Sequence, residues 1–373
     1  MRLAIRCLFV LLVLLAAAAV WLFSRYGGGE AYPDLSGPPL IPEDQLEIAA
    51  SSAEPIGNVA VGADGRLFFT IHPESRPSTR LVEWRDGQAV PFPNAEIQSQ
   101  LGELLGIVID RKNQLWAVDH GLHGVNAAHI LKFDLTSNRL VERFALPSSV
   151  AGLGSFVQDL QVSSDSRWVY LADASFVGQR AGIIVFDTHT QQARRVLDNH
   201  DSVSTQNWLI QTPSKAMRFL GGLVTMKVGV DGIVLSNDDA YLYYSAMSHD
   251  GLFRVPTSAL QGGDDALIEA SVERLGNKPL ADGLSIDNAH GVYITDVEHG
   301  AVLRMKPDGS LTTLVKSAQI RWADALSFGP NGWLYLADSA IPDQVLQSKA
   351  HMASQAPYHI FRFRAPVSGV PGH

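Results

Sequence analysis

The chain has 373 residues, 46% apolar and 18% charged, with 29 basic against 38 acidic side chains and a formal net charge of −9. This composition supports a folded core, and the acid excess without a Lys/Arg cluster argues against nucleic acid as a partner. An acidic surface suits cations or cationic small molecules, or simply solvation.

In chain order, residues 1–25 come first and differ from the rest. Arg2 and Arg6 precede the uncharged run CLFVLLVLLAAAAVWLF, Cys7 to Phe23. A basic flank before an apolar run marks a secretory signal or a retained anchor, to be kept apart from the fold. As a helix, residues 7–23 span about 25 Å, a little short for a bilayer core. Ala17 to Ala19 offers a cleavage pattern, which favours removal; Trp21 and Tyr26 suit an interfacial belt, which favours retention. On both readings the body is exported, to a periplasm or the extracellular space, and touches a membrane only through this segment. Cys7 is the only cysteine and opens the apolar run, so neither a disulfide nor lipid attachment is expected.

Residues 26–45 are rich in Gly and Pro and read as a tether. Residues 46–373 form the folded body, and one phrase recurs through it. It stands as GNVAVGADGRLFFTI (57–71), LGIVIDRKNQLWAVD (105–119), VQDLQVSSDSRWVYLAD (157–173), VDGIVLSNDDAYLYYSA (230–246), ADGLSIDNAHGVYITD (281–296) and ADALSFGPNGWLYLAD (323–338). Each copy is two short apolar runs around a polar turn, and further strands such as AGIIVFDT (181–188) and YHIFRFRA (358–365) follow. Repeats of this period indicate a propeller or a solenoid, and six four-stranded units indicate an all-β, six-bladed β-propeller. Residues 46–55 are placed to pair with the last blade and close the ring, removing its free edges. The segment NWLIQTPSKAMRFL (207–220) is read as containing a short helix.

The copies align Asn58, Leu105, Asp159, Asp231, Asp282 and Asp324 at the start of the innermost strand, around one mouth of the channel. The acids ending the return strand, Asp119, Asp173, Asp296 and Asp338, read as caps for backbone amides in the turns. The inner acids converge instead. Two carboxylates about 7 Å apart repel by roughly 2.4 kcal/mol at an effective dielectric of 20, so the cluster either binds a cation or holds a proton. Asn58, Asp231 and Asp282 offer only oxygen ligands, which suit Ca²⁺, Mg²⁺ or Mn²⁺; the alternative is a polar channel without an ion. No organic cofactor is expected, because no phosphate-cradling glycine loop, H-E-x-x-H or G-x-S-x-G occurs. His72 and His120 follow their return strands, with His123, His249 and His299 in nearby loops. Imidazoles beside carboxylates suit proton transfer, though scattered surface histidines are the blander explanation. Asp282, Asp231 and His120 are therefore the catalytic candidates, and Gln158, Asp159, His72 and His299 the candidates for contacting a small-molecule ligand. A monomer is expected.

The stretches VIDRKNQLWAVDHG, YLADASFVGQRAGIIVFD, VGVDGIVLSNDDAYLYYSAMSHDGLFRVPTSAL and LYLADSAI with YHIFRFRAPV resemble landmarks of the Yellow/major royal jelly protein family in order and spacing. The resemblance covers about residues 38–366 and implies a secreted six-bladed propeller. The family is functionally mixed: dopachrome rearrangement, binding of small amines in the channel, or a nutritive role. The disulfides usual in its insect members are absent here, as in a bacterial-type relative. LADGLSIDNAHGVYITD is also similar to the gluconolactonase/SMP-30 propellers, whose metal site uses a Glu, an Asn and an Asp on different blades. That likeness keeps the Asp as Asp282, puts Asp231 at the Asn place and Asn58 at the Glu place, and sets Gln158 at a substrate-contacting Asn. It implies, as the alternative activity, metal-dependent hydrolysis of a lactone or ester.

Overall fold

The computed structural model describes residues 2–372; Met1 and His373, the outer bounds of the expected leader and body, lie outside the described residues. Six four-stranded antiparallel sheets form a six-bladed propeller. The inner strands are Ile56–Val61, Leu104–Ile109, Val157–Val162, Val230–Leu235, Leu284–Ile286 and Ala323–Phe328. They are the first runs of the six repeated phrases, and the second runs are their hairpin partners.

The sixth blade closes the ring. Its strands Ala323–Phe328, Trp333–Asp338 and Tyr358–Arg364 are completed by Glu47–Ser52 from the start of the body. Pairing the two ends of the body leaves no open seam between the first and last blades.

Blades stack face to face, so inner strands are covered on both sides. Every residue of Ile56–Val61 and Ala323–Phe328 is buried, and such strands read as nearly continuous apolar runs. The outer strand Arg139–Ala145 is largely exposed. Core packing is divided into wedges between neighbouring blades. Ile183 and Val185 of blade three, for example, share a cluster with Ile233 and Tyr244 of blade four.

Two glycines show how tightly the inner strands converge. A Cβ on Gly232 would lie 2.5 Å from the Asp282 carbonyl oxygen, and one on Gly283 would lie 2.1 Å from that of Asp324. Only a residue without a side chain allows this approach.

Three segments differ from expectation. Residues 207–220 form short strands, Trp208–Leu209 and Arg218–Phe219, in place of a helix. Pro213 lacks the amide a helix needs, and Thr212 turns the chain by accepting from the Lys215 amide at 3.1 Å. The Gly/Pro-rich stretch 26–45 does not hang free: Glu30–Ala31 pairs with Trp208–Leu209, and Leu40 and Ile41 donate to the carbonyls of Thr313 and Leu314. The leader is one helix, Arg2–Tyr26, longer than its uncharged run, and its last turn meets the loop at 175–179.

Candidate functional site

The inner strands surround a cavity of about 410 Å³. Its far end is crossed by the C-terminal tail, where the Gly372 amide donates to Phe328 at 2.9 Å and its carbonyl accepts from Ile109 at 3.1 Å. The upper wall is apolar, with Phe156, Phe176, Phe219, Met226 and Val345 among its residues. Deeper down stand Asn58, Gln158, Asp159, Asp231, Asp282 and Asp324.

Strand register corrects the alignment read from sequence. Ile56 pairs with Ile71, Leu104 with Asp119, Val157 with Asp173, Val230 with Ala246 and Ala323 with Asp338. The next residues are then Gly57, Leu105, Gln158, Asp231 and Asp324, so Asn58 and Asp159 lie one step further along. The three polar side chains among these, Gln158, Asp231 and Asp324, together with Asn58 and Asp159, nevertheless belong to the cavity lining. A bulge interrupts each of these five hairpins at that point, and an extra residue lets consecutive side chains share a face. The regular alternation of faces along a strand fails there.

Asp231, Asp282 and Asp324 are buried and Asp159, half-buried, stands with them, and all four hold protons readily. Burial pushes Asp159 up to about 7 against two backbone amides, with the Asp282 charge adding to the rise. Burial raises Asp282 to about 6, opposed by donors that favour its ionised form. One is the Trp322 indole Nε1, which donates to Asp282 Oδ2 at 2.7 Å. Asp231 is driven well up by burial and then by the charges of Asp282, Asp324 and Asp159; Asp324 is driven up by burial and Asp282. Asp231 Oδ2 is buried and receives no hydrogen bond from any protein donor. Its carboxyl is within hydrogen-bonding reach of Asp282. A proton shared by that pair, or a cation above it, satisfies both.

His72 and His123 also line the cavity. Burial lowers His72 to about 4, so it is neutral at pH 7. Its Nδ1 accepts from the Glu74 amide at 3.2 Å. His123 stacks on Phe156 with centroids 4.7 Å apart. His120 is not on the lining. It stands behind His123, 5.2 Å away, and burial, helped by the His123 and His72 charges, lowers it to about 3. His299 and His249 are not brought to the cavity: His299 pairs with Asp296 at 3.0 Å and Asp34 at 3.6 Å, and His249 Nδ1 accepts from the Gly251 amide at 2.8 Å.

The return-strand acids are engaged in backbone contacts. Asp119 Oδ1 accepts from the amides of Glu103 and Gly121, Asp173 Oδ1 from Phe156 and Ser175, Asp296 Oδ1 from Glu298 and His299, and Asp338 Oδ1 from Arg321 and Trp322.

Two neighbours of the acid cluster had no part in the sequence reading. Trp322 was legible only as the residue two before Asp324, in RWAD. Lys278 is wholly buried, donates to the carbonyls of His249 and Pro279 at 2.8 and 3.1 Å, and is lowered by burial to about 7. A lone lysine before an apolar proline-bounded step, NKPL, was its only signal.

The profile of the family described as Major royal jelly protein matches residues 104–319, more than half of the chain. The chain belongs to the major royal jelly protein family. It is similar to Major royal jelly protein 9 of Apis mellifera, 26% identical over 231 residues that cover 55% of this chain and 52% of that one. Major royal jelly protein 3 of Apis mellifera is 29% identical over 181 residues, 44% of this chain and 30% of the relative. The match thus spans about half of the one relative and under a third of the other. Among solved structures, a gluconolactonase from Xanthomonas campestris covers 91% of this chain and 98% of its own with a TM-score of 0.56 and 15% identity. A putative gluconolactonase (89% and 96% covered, TM-score 0.57, 14% identity) is equally similar. So is the calcium-binding protein regucalcin from Agrobacterium tumefaciens (87% and 96%, TM-score 0.56, 14% identity). At such identities the likeness is one of fold.

Proposed function

We propose that this protein is an exported propeller that binds a small organic molecule with an apolar body and a cationic or proton-donating head, such as an arylalkyl amine. The observation that carries this reading is Asp231 Oδ2, a buried acceptor without a donor among three other carboxylates, beneath an apolar wall. No Lys or Arg is among the lining residues, so an incoming ammonium meets carboxylate and amide oxygens without a competing side-chain cation. Its charge lowers the pKa of the acids around it and it binds as they ionise. The neutral imidazoles of His72 and His123 beside raised carboxyls supply acceptors and donors for moving a proton on a bound molecule.

The test is thermal melting with phenethylamine and with its uncharged counterpart propylbenzene. A rise with the amine that is lost in Asp231→Asn supports the reading; an equal response to both compounds overturns it.

A second reading is favoured by the donor set. Asp231, Asp282 and Asn58 bring oxygen ligands to the cavity from three blades, and the free Asp231 oxygen fits a hard divalent cation. Trp322 already occupies one Asp282 oxygen, leaving that residue its other oxygen for the ion. Among the described residues, however, the one trio of His, Cys, Asp or Glu with ligand atoms within 4.8 Å of each other is Asp34, Asp296 and His299, outside the cavity. A bound Ca²⁺ or Mn²⁺ would polarise a lactone or ester carbonyl. Melting that responds to these ions and reverts with EDTA, together with lactone hydrolysis, would move the assignment to this reading.

A further inference from the structure

The exposed hydrophobic side chains of the body are unevenly placed. Beyond the N-terminal helix ten large apolar residues are exposed, and six of them, Leu122, Val125, Leu153, Val177, Leu220 and Leu346, lie in loops on the mouth side of the ring. The hairpin turns joining inner strands to their partners at the opposite end carry none of the ten. Leu153 is 84% exposed and Leu346 73%. Apolar residues gathered on one face mark an interaction surface.

The N-terminal helix departs from that same face. Tyr26 Oη donates to the Val177 carbonyl at 2.8 Å, and Gln179 Nε2 donates to the Arg25 carbonyl at 2.8 Å. The Tyr26 ring lies 6.4 Å from Phe176, a cavity-wall residue. There is no slack between helix and propeller. Lys227 Nζ donates to the Gly27 carbonyl at 2.7 Å, Thr225 Oγ1 to that of Gly28 at 2.6 Å, and the Glu30 amide to Asn207 at 2.9 Å. Gly28 and Gly29, with φ of 75° and 116°, make the turn that so short a connection needs.

The candidate span of the helix, Ala4–Tyr26, has 23 residues, with Arg6 and Arg25 near its two ends where long basic side chains reach the headgroups, and its apolar window is not buried in the propeller. At 1.5 Å per residue that is about 35 Å, enough to cross a hydrocarbon core of about 30 Å. Trp21 and Tyr26 then fall at headgroup level, where such rings settle.

We infer that the helix is retained as a membrane span and that the mouth face of the propeller rests on the outer surface of that bilayer, with Leu122, Val125, Leu153, Val177, Leu220 and Leu346 among the headgroups. Tyr26 fixes the depth, and Val177 is bonded directly to it. Val177, Leu220 and Leu346 also line the cavity, so its mouth opens against lipid. Taken with the ligand reading above, on which this consequence alone rests, the ligand reaches the cavity from the leaflet and is lipophilic.

The test uses the full chain. Cys7→Ser removes the only cysteine. Single cysteines are then introduced by Leu220→Cys, Leu346→Cys and, in an exposed hairpin turn at the far end, Ala289→Cys. Each protein is nitroxide-labelled and reconstituted into vesicles of phosphatidylethanolamine and phosphatidylglycerol. Collision with oxygen, enriched in lipid, is compared with collision with a nickel chelate, confined to water. Labels at 220 and 346 are expected to favour oxygen and the label at 289 to favour nickel. Nickel access at 220 and 346 equal to that at 289 overturns the inference, as does a mature N-terminus beginning beyond Ala19. Neither readout depends on a cavity ligand, so a failed ligand experiment leaves this result standing.

Discussion

Each hairpin places acids at two levels, and the two sets behave differently. Asp338, at the end of a return strand, accepts from the amides of Arg321 and Trp322 and pairs with the Arg321 guanidinium at 2.8 Å. Asp231, at the start of an inner strand, has an oxygen with no donor and three carboxylates for company. Both are buried. Burial raises the carboxyl pKa in both, but only at Asp338 do a cation and amides oppose it. Residue type and burial are shared, so the supply of donors decides which acid stabilises the fold and which is left for a ligand.

The largest effect should come from breaking the donor-rich set. Asp338→Ala leaves Arg321 without its carboxylate and two amides without acceptors, and should cost about 3–5 kcal/mol, the usual range for removing one partner of a buried pair. Denaturant midpoints at pH 7 measure it. Asp173→Ala should behave alike, because Arg195, 2.7 Å from Asp173, is almost fully buried. No cation or amine should restore either variant.

Neutralising an acid at the inner level should do the reverse. Asp231→Asn keeps shape and removes a charge crowded by Asp282, Asp324 and Asp159. Stability at pH 7 should hold or rise, while phenethylamine binding should weaken by about thirtyfold, equivalent to about 2 kcal/mol. Titration calorimetry beside a melting curve gives both numbers. If stability falls as it does in Asp338→Ala, the two sets are not distinct.

Much of this contrast was legible from residues. The repeated phrase gave six inner hairpins because apolar runs around polar turns report strand pairing directly. The tether was misjudged because Gly and Pro report local flexibility, not the main-chain bonds that Glu30, Leu40 and Ile41 find on distant strands. Asn58 and Asp159 were taken as register partners of Asp231, since a bulge adds a residue without changing the look of the pattern. His299 was drawn into the site by its loop position, but Asp296 and Asp34 hold it elsewhere. Trp322 was missed because an indole donor to a carboxylate of a neighbouring blade has no sequence signature.

A pH titration sharpens the comparison without a ligand. Asp159 titrates at about 7 in the folded chain against an ordinary 3.8. Between those values the folded state binds the extra proton, so stability is greatest below pH 4 and falls as pH rises through 7. His72 and His120, lowered to about 4 and 3, act oppositely: their contribution is present above pH 6.5 and is lost on acidification. Wild type therefore shows a mixture. The difference between Asp159→Asn and wild type cancels the histidines and should grow from near zero at pH 4 to about 1–2 kcal/mol in favour of the variant at pH 7, after allowing for partial exposure to the cavity. A difference that is flat with pH would mean Asp159 titrates as an ordinary carboxylate.

Asp282 lies between the two sets, and it offers the finest test. It is crowded like Asp231, yet it has one strong donor, the Trp322 indole. That donor favours the charged form and holds Asp282 at about 6, whereas Asp231, with no such donor, is driven well up. If donors decide the fate of these acids, removing this one should move Asp282 toward the behaviour of Asp231. Trp322→Phe keeps most of the apolar volume and deletes the N–H. It will lower stability at every pH through lost packing, and for that reason the melting temperature alone decides nothing. The informative quantity is the midpoint of the pH-dependent stability change caused by Asp282→Asn. It is measured once in the otherwise unchanged chain and once in a chain that already carries Trp322→Phe. Packing losses cancel within each pair of proteins. With the indole absent the midpoint should move upward by about one pH unit, the size expected for one hydrogen bond to a charged group. An unchanged midpoint would mean that burial alone sets the inner acids, and the donor rule separating the two levels of the hairpin would fail at its most sensitive point.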